Sequence, residues 1–467
     1  MALMTVSCLA GVTDSSMSPY FCPLVRSRTD GANTMCGIMI SVRFATQIIF
    51  VLVFGQLMSR VGAARIFVIS VLTCGLFNMC FSSVVLVTDS SAFTFLSFIF
   101  LIGSMIGDSG VFCSIYVLAA QTSFSFKPKT ENGKDELNAS GPAWIETMYG
   151  CGSMLGPPVG GLVFMSFGFS GVILTSGACV FTVGCLILLC SLLINKNEAT
   201  DGENCDKELF DEVKETDKLH CSSSSIHENK LISKTPDEIE DFIGDNDNKS
   251  VSSFKEDHNL SYLKILSVPI IVMCCVLQIS SGLMSSWFLS SLQNHLSGPM
   301  SLTTGQIGLT YMCQSLVYMT LTPLVGSLLD RGWCKLPFVF IGLGSNILGY
   351  VLLGPSSFLT STEPHVAYTV SGLILIGVGQ GTCLITCLNI MLTATRVAGH
   401  EGNAGKLTSL WEGCEMIGGY LGSTFGGMSA DAFGFRDCTN IIVGVEIILL
   451  VILVIFLMFQ RKNDSKQ

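Results

Sequence analysis

The sequence predicts an all-α polytopic membrane protein with twelve transmembrane helices in two pseudo-symmetric six-helix bundles, and three observations carry that expectation. Charged residues make up only 13% of 467 positions while hydrophobic residues make up 49%; a soluble chain carries about 25% charge to cover its surface. The apolar residues gather in runs of about 20, the length that crosses ~30 Å of hydrocarbon. The chain also repeats itself. Glu146 to Phe169 reads ETMYGCGSMLGPPVGGLVFMSFGF, and Glu412 to Phe435 reads EGCEMIGGYLGSTFGGMSADAFGF. At a constant offset of 266, Glu146 meets Glu412, Gly152 meets Gly418, Gly156 meets Gly422, and Gly160–Gly161 meets Gly426–Gly427, with a shared closing Phe-Gly-Phe. At offset 271, GQLMSRVGAAR from Gly55 aligns with GSLLDRGWCKL from Gly326. So long a gapless match implies a duplicated six-helix unit.

Polar punctuation divides the chain into helices near 2–24, 36–58, 66–88, 92–120, 142–166 and 170–194, then 265–289, 303–329, 336–355, 366–394, 407–430 and 438–459. The first run lacks the basic start of a signal peptide and is expected as a membrane helix with almost no tail before it, a truncated chain being the alternative. The expected domains are residues 1–194, an N-terminal bundle; 195–262, an acidic, disordered cytosolic connector; 263–460, a C-terminal bundle; and 461–467, a short tail. Between Asn195 and Leu260 stand nine Asp, nine Glu and eight Lys, so the connector carries the whole net charge of −10 and the remainder is neutral. The acidity therefore describes a polar linker and not a substrate.

Arg60, Arg65, Lys127, Lys129, Lys134, Arg331, Lys335, Arg396, Lys406, Arg461 and Lys462 all fall on one side of a twelve-helix count, with Arg26 and Arg28 the main exceptions. The positive-inside rule makes that side cytosolic, together with both termini and the connector. Asn138, Asn248, Asn259 and Asn463 then lie on the wrong side for glycosylation. Most of the 20 cysteines, including Cys179, Cys185, Cys190, Cys274, Cys275 and Cys387, sit in apolar runs and are expected as small, buried, free thiols.

Ionisable residues at membrane depth are the functional clue, because an unpaired charge there costs at least ~2.5–3.5 kcal/mol. They are Asp14, Arg43, Asp108, Glu146, Glu412 and Glu415. Gln47 shares a face with Arg43, and Glu412 shares one with Glu415. A carboxylate in low dielectric holds a proton more tightly and can exchange it near neutral pH, or pair with a cationic solute. Plainer roles compete. Asp14 and Glu146 could be hydrated near helix ends, Arg43 could neutralise a neighbouring carboxylate, and Glu412 with Glu415 could sit at the cytosolic mouth near Lys406. Asp108 and Glu146 lead. Gly377-Val-Gly379-Gln-Gly381 lies in an apolar helix with no strand before it, so a dinucleotide loop is excluded. No Ser/His/Asp grouping and no metal-ligand spacing occurs; the chain is not expected to be an enzyme or to hold a cofactor or metal.

Gly55-Gln-Leu-Met-Ser-Arg60-Val-Gly62 resembles the loop signature between the second and third helices of the major facilitator superfamily, with Ser59 where Asp is usual. Gly326-Ser-Leu-Leu-Asp330-Arg331 is its fuller copy. That resemblance implies a conformational latch. Gly150 to Gly161, through Gly156, Pro157, Pro158, Gly160 and Gly161, resembles the fifth-helix motif of the drug:proton antiporter branch. With Trp144, Glu146 and Phe167 to Phe169, and more weakly Pro19-Tyr20-Phe21 and Leu352-Leu353-Gly354-Pro355, it is similar to the vesicular amine and polyamine transporters. Those place an acidic residue in the seventh helix, where this chain has Gly282-Leu-Met-Ser285-Ser286-Trp287.

The resemblance implies proton-coupled antiport of a small organic cation, an amine or polyamine, by a monomer in a vesicular or other endomembrane. Its partners are then a small solute, protons and the lipid bilayer, without nucleic acid. A facilitator or symporter of an organic anion or neutral solute, anchored by Arg43, is the alternative. A non-transporting scaffold acting through the acidic connector is a third reading.

Overall fold

The structure, a computed structural model, describes residues 2–29, 33–125, 140–220, 262–354, 365–397 and 404–464. Its long helices are α1 (Ala2–Arg28), α2 (Asn33–Val61), α3 (Ala63–Phe81) and α4 (Ser90–Ser125). The run Ser140–His220 follows, divided at Gly168 into α5 and α6. Then come α7 (Pro269–Trp287), α8 (Thr304–Asp330), α9 (Lys335–Leu353), α10 (Val366–Val397), α11 (Ala404–Phe433) and α12 (Phe435–Asp464). Short turns of helix at Ser82–Leu86, Tyr262–Leu266 and Leu292–Ser297 fill the joints.

Among the described residues nine stretches are long and apolar enough to cross a membrane, one of them, Trp144–Leu193, containing both α5 and α6. Helices α1 and α11 complete the twelve and fall short by composition. They carry Thr13, Asp14, Ser15 and Ser16, and Glu412, Glu415 and Ser423, which belong in a protein interior and not against lipid.

The chain forms two compact units, Met1–Gly184 with Leu260–Gln467, and Cys185–Asn259. In the second, α6 continues as helix to His220, so the first part of the expected connector is helical; residues 221–261 lie outside the described residues. Lys127, Lys129, Lys134, Asn138, Asn248 and Asn259 lie outside them too.

Within the first unit the sequence repeat is a packing repeat. A Cβ on Gly152 would strike the carbonyl oxygen of Cys8, and one on Gly418 that of Ile279. Gly156 lies against Val12 as Gly422 lies against Leu283, and Gly160 against Ser16 as Gly426 against Trp287. Helix α5 thus meets α1 through the same glycines by which α11 meets α7, because small residues let backbones touch where lipid supplies no hydrophobic drive between helices. Gly107 of α4 on the Ser70 carbonyl, and Gly379 of α10 on the Gly342 carbonyl, extend the equivalence at offset 272.

The joints repeat as well. Gly168 and Gly434, the centres of the two Phe-Gly-Phe segments, have φ of +67° and +80°, and Gly62 and Gly332, which end α2 and α8, have +91° and +84°. Only glycine adopts these left-handed angles without strain, so each marks a tight reversal between helices.

Each half has its own apolar core. Phe21, Phe81 and Phe169 gather in the first, and Phe288 and Tyr350, 6.3 Å apart, in the second. Cys274, Cys275 and Cys387 are buried free thiols as expected, but Cys179, Cys185 and Cys190 are exposed on outward faces of α6. Cys22 and Cys36 form a disulfide between the end of α1 and the start of α2, a pairing the sequence reading did not single out.

Candidate functional site

The polar residues at membrane depth are held by helices that the glycines bring together. Asp14 on α1 and Arg43 on α2 form an ion pair at 2.5 Å, with side chains 23% and 15% exposed. The Tyr149 hydroxyl of α5 donates to Asp14 Oδ2 at 3.3 Å. Arg43 therefore does neutralise a neighbouring carboxylate. One turn on, Gln47 Nε2 donates to Asp108 Oδ2 of α4 at 2.8 Å, with Asp108 only 3% exposed. The shared face of Arg43 and Gln47 thus serves two different acids.

Glu146 is buried at 5% exposure and is not hydrated at a helix end. Tyr116 of α4 and Tyr318 of α8 both donate hydroxyl hydrogen bonds to it, one from each half. On α11, Glu415 Oε2 accepts from Gln278 Nε2 of α7 at 2.9 Å. Glu412 is buried, so it is not open to water at a cytosolic mouth. Beside it Trp411 meets Tyr116 edge-on at 5.9 Å, a second contact between the halves. Among the described residues, none of Asp108, Glu146, Glu412 and Glu415 forms a salt bridge, and Arg43 acts on Asp108 only from beyond ion-pair distance.

A cavity of about 20 Å³ lies among α1, α3, α4 and α6, with Asp14 and Asp108 in its wall.

The signature segments lie where helices meet. Gly55 packs on Ser409 of α11, joining the first signature to the other half. Arg60, Asp330 and Arg331 are exposed and Gly326 is buried. The Pro157 carbonyl accepts from Tyr20 at 3.1 Å and Gly308 of α8 rests on it, with Pro158 next in the chain, while Gly161 faces the Tyr20 hydroxyl. The glycines of α10 are packing positions too: Gly377 lies on the Gln314 carbonyl, and the Gln314 side chain bonds Gln380 at 2.7 Å.

Three kinds of residue escaped the sequence reading. Tyr116, Tyr149 and Tyr318 are uncharged, so a search for charges passes over them. Gln278 gave no signal in its apolar run. Glu446 on α12 did give one, as an acid within an apolar run; it is fully buried and accepts from the Ser280 hydroxyl.

A model of the Major Facilitator Superfamily matches residues 3–400 and, as a second match, 274–467. The "MFS-type transporter SLC18B1" of Rattus norvegicus is 23% identical over 444 residues, covering 93% of this chain and 80% of the relative; that of Homo sapiens is 22% identical over 430 residues, covering 90% and 78%. Among solved structures, a bacterial homologue of the human lysosomal transporter Spinster, in an inward-facing occupied conformation, superposes with a TM-score of 0.63 at 12% identity, covering 99% of this chain and 96% of that one. The nucleoside transporter NupG superposes at 0.61 and 13% identity, covering 97% and 98%. These structural likenesses speak to the fold alone.

Proposed function

The chain belongs to the Major Facilitator Superfamily, and from that premise we propose that it is a proton-coupled antiporter of a small organic cation, an amine or polyamine. The observation that carries this reading is the set of acids at membrane depth, Asp108, Glu146 and Glu412 buried and Glu415 half-buried, that form no salt bridge among the described residues. Such a site is short of positive charge. A proton or an ammonium group can supply it, and a carboxylate that takes one is not free for the other. That exclusion is what exchange requires.

Alternating access follows from where Glu146 sits. The hydrogen bond it accepts from Tyr318 joins the halves, while that from Tyr116 comes from its own half. A solute that replaces the Tyr318 hydroxyl removes one of the bonds between α8 and α5, beside the packing of Gly308 on Pro157, and the halves rock about the bound group. The fifth-helix likeness to amine and polyamine transporters supports the same solute class. Engagement of Arg43 by Asp14 counts against its serving as an anchor for an anion.

The Cys22–Cys36 disulfide lies on the side opposite the basic loops, which fits an oxidising lumen or exterior. A monomer in an endomembrane, with both termini cytosolic, completes the reading.

Purified protein in liposomes, given an imposed pH gradient and labelled polyamines, monoamines and organic anions, tests it. Amine accumulation that a protonophore collapses is the expected result, and uptake of an anion alone refutes it. Flux that survives deletion of residues 195–260 removes the scaffold alternative.

A further inference from the structure

Arg26, one of the exceptions to the one-sided distribution of basic residues, stands half-buried in the last turn of α1. It forms no salt bridge among the described residues. Its Nη2 donates to the Asn33 side-chain oxygen and, across to the other half, to the Ser290 carbonyl at 2.9 Å. Asp431 of α11 acts on it only from beyond ion-pair distance. That carboxylate is engaged at the start of α2. Its Oδ1 accepts from the Asn33 amide at 3.1 Å and side chain at 2.7 Å, and its Oδ2 from the Thr34 amide at 2.7 Å and hydroxyl at 2.6 Å. There it offsets the positive end of the α2 dipole, and the guanidinium keeps its charge.

The unpartnered groups around Arg26 are donors. Arg26 Nε, Ser290 Oγ, Ser291 Oγ and the Tyr311 hydroxyl are buried and bond nothing among the described residues. Ser290 is 0% exposed and Tyr311 6%, so water outside the protein does not satisfy them. They share one neighbourhood. Arg26 bonds the Ser290 backbone, its charge acts on Tyr311, and the Gln293 amide lies near the Tyr311 oxygen without closing a hydrogen bond.

Buried donors are nearly always satisfied, so a group of them beside a cation calls for an acceptor. A water accepts hydrogens but brings no charge to the guanidinium. An anion supplies both, through the stronger, charge-assisted kind of hydrogen bond. One guanidinium matches one negative charge, and donors this deeply enclosed suit a compact inorganic ion and not an organic one.

We infer that Arg26, Ser290 and Tyr311 form a binding site for a small monovalent anion of the halide class, chloride above all, which bridges the two halves. The first half supplies the charge from α1, and the second supplies the hydroxyls from α8 and the joint before it. A bound chloride holds the halves together at that end. None of the acids at membrane depth takes part, so the site does not rest on the antiport reading.

The test uses the full chain purified in detergent, without solute, in chloride against gluconate buffers. Chloride NMR line broadening that saturates and that bromide reverses measures binding, and thermal unfolding in the same series reports its linkage to stability. Wild-type protein should bind saturably and gain thermal stability with chloride. Tyr311→Phe and Ser290→Ala each remove one hydroxyl and should weaken binding by about tenfold, in line with a hydrogen bond to a charged group. Arg26→Gln should abolish binding. Arg28→Gln should leave it unchanged, because that guanidinium bonds the Val85 carbonyl at 3.1 Å within the first half. No saturable binding by the wild type would assign the hydroxyls to water and overturn the site. Unchanged affinity in both hydroxyl variants would overturn it as well, as would displacement by acetate as effective as by bromide. Should Arg26→Gln fail to fold, the two hydroxyl variants decide.

Discussion

The two halves share a scaffold and differ in charge. At offset 271, Asp14 and Arg43 correspond to Ser285 and Gln314; at offset 272, Asp108 corresponds to Gln380. The first half holds an ion pair at 2.5 Å and a buried aspartate on Gln47. In the second, Gln314 and Gln380, the counterparts of Arg43 and Asp108, bond each other without charge. Its acids sit elsewhere, at Glu412, Glu415 and Glu446. Close glycine contacts tolerate almost no substitution, whereas a polar pair can be exchanged for another that satisfies the same hydrogen bonds. A duplicated fold can therefore keep its helix crossings while only one half retains a given charge.

Helix crossings offer the hardest way to break the comparison. Gly152→Val and Gly418→Val each drive a side chain into a facing carbonyl, so each should cost about 3 kcal/mol or more. Thermal unfolding and monodispersity in detergent measure this, and damage from only one of the two would show the packing to be unequal.

Charge comes next. Arg43→Gln strands Asp14 and should destabilise the protein by about 2 kcal/mol, less than for a fully buried pair because both side chains keep some exposure. Adding Asp14→Asn should recover part of the loss, and a double variant worse than Arg43→Gln would contradict the pairing.

Tyr318→Phe removes the only hydroxyl that the second half contributes to Glu146 among the described residues. Exchange should fall about tenfold, in line with a hydrogen bond to a charged group. Tyr116→Phe, whose hydroxyl comes from the same half as Glu146, should cost less, and equal effects would argue against a role in joining the halves.

The smallest effect sharpens the asymmetry. Ser285→Asp places an acid in the second half without its arginine and should cost about 1 kcal/mol at this partly exposed position. Gln314→Arg added to it should restore stability if the ion pair can be rebuilt there, as a double-mutant cycle would report.

The membrane class, the helix count and the duplication were legible in the chain, because apolar length and an exact glycine register are local properties of sequence. Both Phe-Gly-Phe segments already marked the joints that Gly168 and Gly434 turn. The charges at membrane depth were legible too, since their desolvation cost makes any such residue conspicuous; Glu446 obeys the same rule. Their partners were not. Which acid Arg43 pairs with, that Tyr116 and Tyr318 converge on Glu146 from opposite halves, and that Asp108 borders a small cavity depend on side chains from helices far apart in sequence. Periodicity places a residue on a helix face, but only the packing of one helix against another decides what that face meets.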